Sequence, residues 1–152
     1  IDEAVDKVRM IASNLTPQNM IDIGLAESVN KMISKLNQSG QISIKLETEG
    51  HETGIEPSFT ITLYRIILEL INNSIKHAES ENISIRLIYK KKTIRLIYRD
   101  DGKGFDLEKE LTVKKGIGLK SIFHRMELYQ GSCKFTNLQQ GGIEFDLNFP
   151  WK

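Results

Sequence analysis

The chain has 152 residues, 39% hydrophobic and 27% charged, enough for one domain with its own core. A net charge of +1 sets up no strong field toward nucleic acid or an acidic membrane surface. No apolar run reaches the length of about 18 residues that a membrane span requires.

The apolar spacing of Val5, Val8, Ile11, Ala12 and Leu15 predicts a helix over Ile1–Leu15, ended by Thr16-Pro17. A second helix fits Ile21–Leu36, with Leu25, Val29, Met32, Ile33 and Leu36 on one face and Gln38-Ser39-Gly40 as its stop. Ile42, Ile44 and Leu46 alternate as a half-buried strand, followed by a loop from Glu49 to Pro57. Ser58 is the expected cap of a long helix reaching about Ala78. Strands around Ile83–Tyr89 and Ile94–Tyr98 are joined by Lys90-Lys91-Lys92, read as a solvated turn and not a nucleic-acid patch. Asp100–Lys115 is polar, bears glycines and has no period. A helix then starts near Gly116, uses Leu119, Ile122, Phe123 and Met126, and takes Gly131 as its C-cap. Strands at Cys133–Asn137 and Ile143–Phe149 close the chain through Gly141-Gly142. The order predicts a two-layer α+β sandwich, a mixed sheet of about five strands with helices on one face. Strict βαβ alternation is missing, which argues against a Rossmann sheet.

The long helix carries the first chemical signal. Leu63, Ile67, Leu70, Ile71, Ile75 and Ala78 share one side, and Arg65, Glu69, Asn73, Lys76 and His77 the other. A solvated face explains that pattern, except for Asn72-Asn73. Asparagine is a poor mid-helix residue because its amide competes for backbone hydrogen bonds. Such breaches of local propensity collect at functional sites. The Asn73 amide oxygen is a suitable hard ligand for Mg²⁺, and Lys76, one turn on, can meet a phosphate as a point charge.

The second signal is the run Asp100-Asp-Gly-Lys-Gly-Phe105 at a strand end, followed by Gly116-Ile-Gly-Leu119 at a helix start. Glycines allow close backbone approach, and a helix N-terminus favours phosphate. A carboxylate fixed at a strand end can accept from an adenine amino group. A calcium loop is disfavoured, because Asp106, Glu108 and Glu110 do not follow the required ligand spacing.

Together, Glu69-x-x-x-Asn73, Asp100-x-Gly102-x-Gly104 and Gly116-x-Gly118-Leu119 resemble, in order, the N, G1 and G2 boxes of the GHKL ATPases. That superfamily covers gyrase, mismatch-repair and chaperone ATPases and the histidine kinases. The finer resemblance is to histidine kinases of the nitrate-sensor, LytS and DesK-like type. It rests on Arg65-Ile66, Glu69, Asn73 and Lys76-His77-Ala78, on Leu15-x-Pro17 with Gly24-Leu25 before the domain, and on Arg125 and Gly131 after Leu119. It covers essentially the whole chain.

The resemblance implies an ATP-binding kinase core that transfers the γ-phosphate to a histidine. Asp100, with Gly102 and Gly104, would recognise adenine, and Asn73 would hold Mg²⁺. Lys76 and His77 would contact phosphates, and Gly116, Gly118 and Leu119 would let the helix start and lid wrap the triphosphate. The segment from Phe105 to Lys115 would be a short ATP lid. Glu69 stands where hydrolytic members keep a base that activates water. His51, His77 and His124 all lack the setting of a phosphoacceptor, which puts that acceptor before Ile1. Residues 1–17 would then be the tail of a dimerisation helix or its linker, and 18–152 the catalytic domain. Implied partners are the dimerisation and phosphoacceptor domain of the same parent and a response regulator receiver domain. The fragment is expected to be monomeric and the parent homodimeric. A chain opening on Ile reads as a piece of a longer protein, so a missing span here says nothing about the parent's anchoring. The single cysteine, Cys133, suits a cytoplasmic setting and a small core position. Rival readings are an anti-sigma-type serine kinase, an ATP hydrolase on the same fold, and a degenerate nucleotide-binding module. Trp151 is assigned no function.

Overall fold

The computed structural model describes residues 6, 8, 10, 15–112 and 117–151. Residues 6, 8 and 10 are helical and Val8 is buried, whereas Leu15 is already in a bend; the rest of the predicted first helix lies outside the described residues. Thr16 is extended before Pro17, as a residue preceding proline should be.

Where periodicity reads one helix over Ile21–Leu36, there are two, α1 at Pro17–Ile23 and α2 at Leu25–Asn37. Gly24 divides them at φ 84°, a left-handed conformation that glycine adopts without a Cβ penalty. The Thr16 hydroxyl accepts from the Asn19 N–H, and Pro17 opens α1, where its missing N–H would have no helical partner anyway. Helix α2 has no cap of its own. Glu52, from a loop beyond the next strand, brings both carboxylate oxygens to the Leu25 N–H at 2.9 and 3.0 Å. At the other end, Asn37 both accepts from and donates to the backbone of Ile44, at 2.8 and 2.9 Å, and so ties α2 to the sheet edge.

The five strands are β1 Ser43–Glu49, β2 Asn82–Tyr89, β3 Thr93–Asp100, β4 Ser132–Asn137 and β5 Ile143–Pro150. Their order is β1-β2-β3-β5-β4, with only β1 and β2 parallel. That parallel pair is bridged by α3, Pro57–Lys76, since parallel neighbours need a crossover. One face of the sheet carries Ile83, Ile85, Leu87, Ile94, Leu96, Tyr98, Phe145, Leu147 and Phe149. All are buried in one cluster with α2, α3 and the helix α5, Ile117–Leu128. The opposite face is polar, with ion pairs from Arg95 to Asp146 and from Arg99 to Glu144 across β3 and β5. The expected two-layer sandwich is therefore formed.

Several boundaries differ from the sequence reading. Helix α3 starts two residues earlier than a Ser58 cap implies, at Pro57, with Glu56 in the N-cap position; Ser58 lies in the first turn and its hydroxyl donates to the Glu56 carboxylate at 2.6 Å. The helix stops at Lys76, short of Ala78. The predicted lid contains a short helix, α4 at Leu107–Thr112, begun by Asp106, whose carboxylate accepts from the Lys109 N–H at 3.2 Å. At the end of α5 it is Gln130, not Gly131, that turns left-handed, with φ 53°. Gly131 is required for space instead, because a Cβ there would come within 2.7 Å of the Phe149 ring. The lysine turn is exposed as expected, and Trp151 pins it through bonds to the carbonyls of Lys91 and Lys92 at 3.0 and 2.8 Å.

Candidate functional site

Alternation along β3 places Ile94, Leu96, Tyr98 and Asp100 on the buried face. The fourth is a carboxylate, 4% exposed, at the position where the pattern calls for an apolar side chain. Donors meet both of its oxygens. Oδ1 accepts from the N–H groups of Gly102 and Ile143 at 3.1 and 3.3 Å, and Oδ2 accepts from the Ser74 hydroxyl at 2.5 Å. Ser74 in turn lies 2.7 Å from the Tyr98 hydroxyl. Burial pushes the Tyr98 phenol well above its ordinary range, so it stays protonated. Around the carboxylate the backbone is tightly wedged. A Cβ on Gly102 would come within 2.6 Å of the Ser80 hydroxyl, and Gly142, at φ 91°, sits against the Asp100 carbonyl where no side chain fits.

Between α3, α5 and the chain leaving β3 lies a cavity of about 920 Å³, a volume typical of ligand sites. Glu69, Asn73 and Lys76 line it from α3 and His77 from its C-cap, Asp100 and Gly104 from β3 and its loop, and Gly118 and Leu119 from α5. The predicted site residues are thus brought together, with two exceptions. Gly102 contributes its N–H to Asp100 from behind, and Gly116 lies outside the described residues. Gly118 allows α5 to start against α3. A Cβ there would overlap the Glu69 carboxylate and stand 3.5 Å from the Asn73 amide oxygen.

Buried polar atoms without a partner gather here. Asn72 Oδ1 and Asn73 Nδ2 on the cavity wall, and Ser80 Oγ behind Gly102, have none among the described residues. Buried polar groups are ordinarily satisfied, so such a group calls for an explanation such as a bound molecule. Among the described residues no three acidic, histidine or cysteine side chains gather as a metal cage. One amide and one carboxylate, from Asn73 and Glu69, fit a hard cation that keeps waters and shares phosphate oxygens; a tightly ligated structural metal would need more.

Ser74 and Tyr98 were not singled out from the sequence. The signal for Tyr98 is its place two residues before Asp100 on an alternating strand. Asn137 is a further addition. Its amide accepts from the Phe105 N–H and donates to the Phe105 carbonyl, at 3.3 and 3.0 Å, anchoring the start of the lid to the β4–β5 hairpin. Arg125, Ser121 and Val8 line the cavity as well. His51 and His124 are exposed and away from it. Cys133 is half-buried and burial raises its thiol to about 11, which leaves it unreactive.

A glycine-cradled carboxylate on a mixed sheet, facing a paired carboxylate and amide on a helix, defines a nucleotide-binding ATPase domain. The chain belongs to the histidine kinase-, DNA gyrase B- and HSP90-like ATPase family, whose model matches residues 58–152. It is similar to the sensor histidine kinase ComP of Bacillus subtilis (strain 168), 28% identical over 147 residues, covering 97% of this chain and 19% of ComP. It is also similar to the histidine-protein kinase/phosphatase DegS of the same organism, 30% identical over 120 residues, 76% of this chain and 31% of DegS. The chain therefore spans about a fifth of the length of the first relative and under a third of the second. The fold is that of the Acinetobacter baumannii histidine kinase AdeS, with a TM-score of 0.67 and 15% identity over 99% of this chain and 76% of that one. Within the family it is a catalytic, ATP-binding domain of the two-component sensor histidine kinase kind. No helix among the described residues is long and apolar enough to cross a membrane.

Proposed function

We propose that this domain positions ATP for transfer of its γ-phosphoryl group to a histidine on a dimerisation domain of its parent protein, which a response regulator then discharges. The observation that carries the reading is the convergence of Asp100, Asn73 and Gly118 on one cavity whose wall holds two buried amide atoms, Asn72 Oδ1 and Asn73 Nδ2, with no partner among the described residues. Asp100 takes the adenine amino group, supported by Gly102 and Gly104. Lys76 and His77, exposed at the end of α3, meet the phosphates, Gly118 and Leu119 at the start of α5 close on them, and Gly116, which lies outside the described residues, has the role of letting the lid wrap the triphosphate. Asn73 holds Mg²⁺, which when bound neutralises charge on the phosphate oxygens. Glu69, one turn before Asn73, is the carboxylate nearest the helix start and has the place of an acid–base group. Transfer forms a nitrogen–phosphorus bond and breaks the γ-phosphorus–oxygen bond to ADP. Its catalysis is mainly positioning and charge compensation. Residues 1–17 serve as the tail or linker of the dimerisation helix and 18–152 as the catalytic domain, which is monomeric without its parent's helices.

The test is transfer of label from γ-labelled ATP to histidine in the parent protein. Asn73→Ala is expected to cut transfer at least about a hundredfold, the scale of losing one charge-stabilising group, with the melting temperature nearly unchanged. Transfer at the wild-type rate would overturn the Asn73 role. Rapid ATP turnover with no labelled histidine would favour a hydrolase.

A further inference from the structure

The Tyr98–Ser74–Asp100 chain goes beyond what a base-recognising carboxylate requires. Ser74 has one hydroxyl proton and two lone pairs. It lies 2.5 Å from Asp100 Oδ2 and 2.7 Å from the Tyr98 hydroxyl, and all three side chains are buried. An ionised Asp100 can only accept, so the serine proton goes to Oδ2 and the tyrosine must donate to the serine. The raised phenol of Tyr98 keeps that donor in place. Each carboxylate oxygen offers two acceptor positions. Oδ1 spends both on the N–H groups of Gly102 and Ile143. Oδ2 spends one on Ser74. One acceptor position remains on a carboxylate that lines the cavity.

We infer that Ser74 and Tyr98 are positioning residues that set base selectivity, pinning Asp100 so that its single open acceptor position meets a 6-amino purine and refuses a 6-oxo purine. This rests on the reading that Asp100 takes the adenine base. A 6-oxo purine can turn its ring N–H toward a carboxylate, but only if that carboxylate rotates or shifts. The two backbone donors hold Oδ1, and the hydroxyl relay holds Oδ2, so rotation would break bonds in a buried site where each is costly to lose. Without the relay, Oδ2 gains a second free position and the carboxylate is held from one side only. Sites built around buried polar groups discriminate because the wrong ligand leaves those groups unpaired.

The experiment measures affinities of this chain for non-hydrolysable ATP and inosine triphosphate analogues, in wild type, Ser74→Ala, Tyr98→Phe and Asp100→Asn. Alanine suits a helix, and phenylalanine keeps the Tyr98 ring. The expected result is that Ser74→Ala lowers the ATP-to-inosine preference about tenfold, the scale of one hydrogen bond to a charged group, and Tyr98→Phe lowers it about threefold by the same reasoning. A merely structural hydroxyl would lower both affinities together and leave the ratio unmoved. If Ser74→Ala fails to fold, the Tyr98→Phe ratio decides. Ratios within twofold of wild type in every folded variant, with Asp100→Asn unable to bind ATP, would overturn the relay alone. Wild-type ATP binding in Asp100→Asn would overturn the underlying base assignment as well.

Discussion

Asp100 occupies the fourth place in a buried run of Ile94, Leu96 and Tyr98. A carboxylate in such a place destabilises the core unless donors surround it, and α3, the loop after β3 and β5 deliver one each, from Ser74, Gly102 and Ile143. The cost shows in the backbone around it. Gly142 has φ 91° and lies so close to the Asp100 carbonyl that a Cβ would overlap it. Gly142→Ala is accordingly expected to destabilise the domain by about 1–3 kcal/mol, from left-handed strain with the steric overlap added. Urea unfolding measures it, and a change below about 0.5 kcal/mol, within the range of neutral surface substitutions, would show that the hairpin yields. At this scale the sequence was informative wherever a residue broke a local rule. Asn73 in a helix and Asp100 at a strand end beside glycines both announce themselves, whereas the place of Asp100 on the core face emerges only from the fold. Ser74 does not, because a serine facing inward from a helix looks like any small core residue until its partner 26 positions away is known.

The elements were legible where periodicity is long, as in α3 and in β2, β3 and β5. Their ends were not, because ends are set by tertiary partners. Periodicity carried the second helix straight through Gly24, and only the φ of 84° reveals the break. The cap that restarts the chain as α2 is Glu52, 27 residues further on, and no local motif could name it. Its carboxylate also receives the Tyr89 hydroxyl at 3.5 Å. Glu52→Ala should cost about 1–2 kcal/mol, the loss of a cap with its interaction at the positive end of the helix. Hydrogen exchange should speed up first at the start of α2. Uniform exchange and unchanged stability would mean that Glu52 only decorates the loop. Likewise α4 was hidden because it is six residues long and its only apolar pair, Leu107 and Leu111, is half-buried, too short a stripe to read.

At the scale of the molecule, the polar face of the sheet and the ligand face respond to different conditions. Asp146 is held below the ordinary carboxyl value of 3.8, chiefly by its hydrogen bond with Arg95. Burial works against ionisation of Asp101, but the N–H and amide of Asn82 and the N–H of Glu81 outweigh it and also leave that carboxyl low. A carboxyl lower in the folded than in the unfolded chain contributes stability above its unfolded value and loses it as pH falls through the folded one. The melting temperature should therefore hold from about pH 7 to 5 and fall below about pH 4, with Asp146→Asn showing a smaller fall. An equally steep fall in that variant would place the acid sensitivity elsewhere.

The most direct test of the account is a calorimetric titration of a non-hydrolysable ATP analogue into this chain and into Asp100→Asn, each with and without Mg²⁺. The account predicts saturable one-to-one binding in the wild type that tightens with Mg²⁺ and vanishes in the variant. Absence of binding at millimolar nucleotide, or equal binding by the variant, would contradict it.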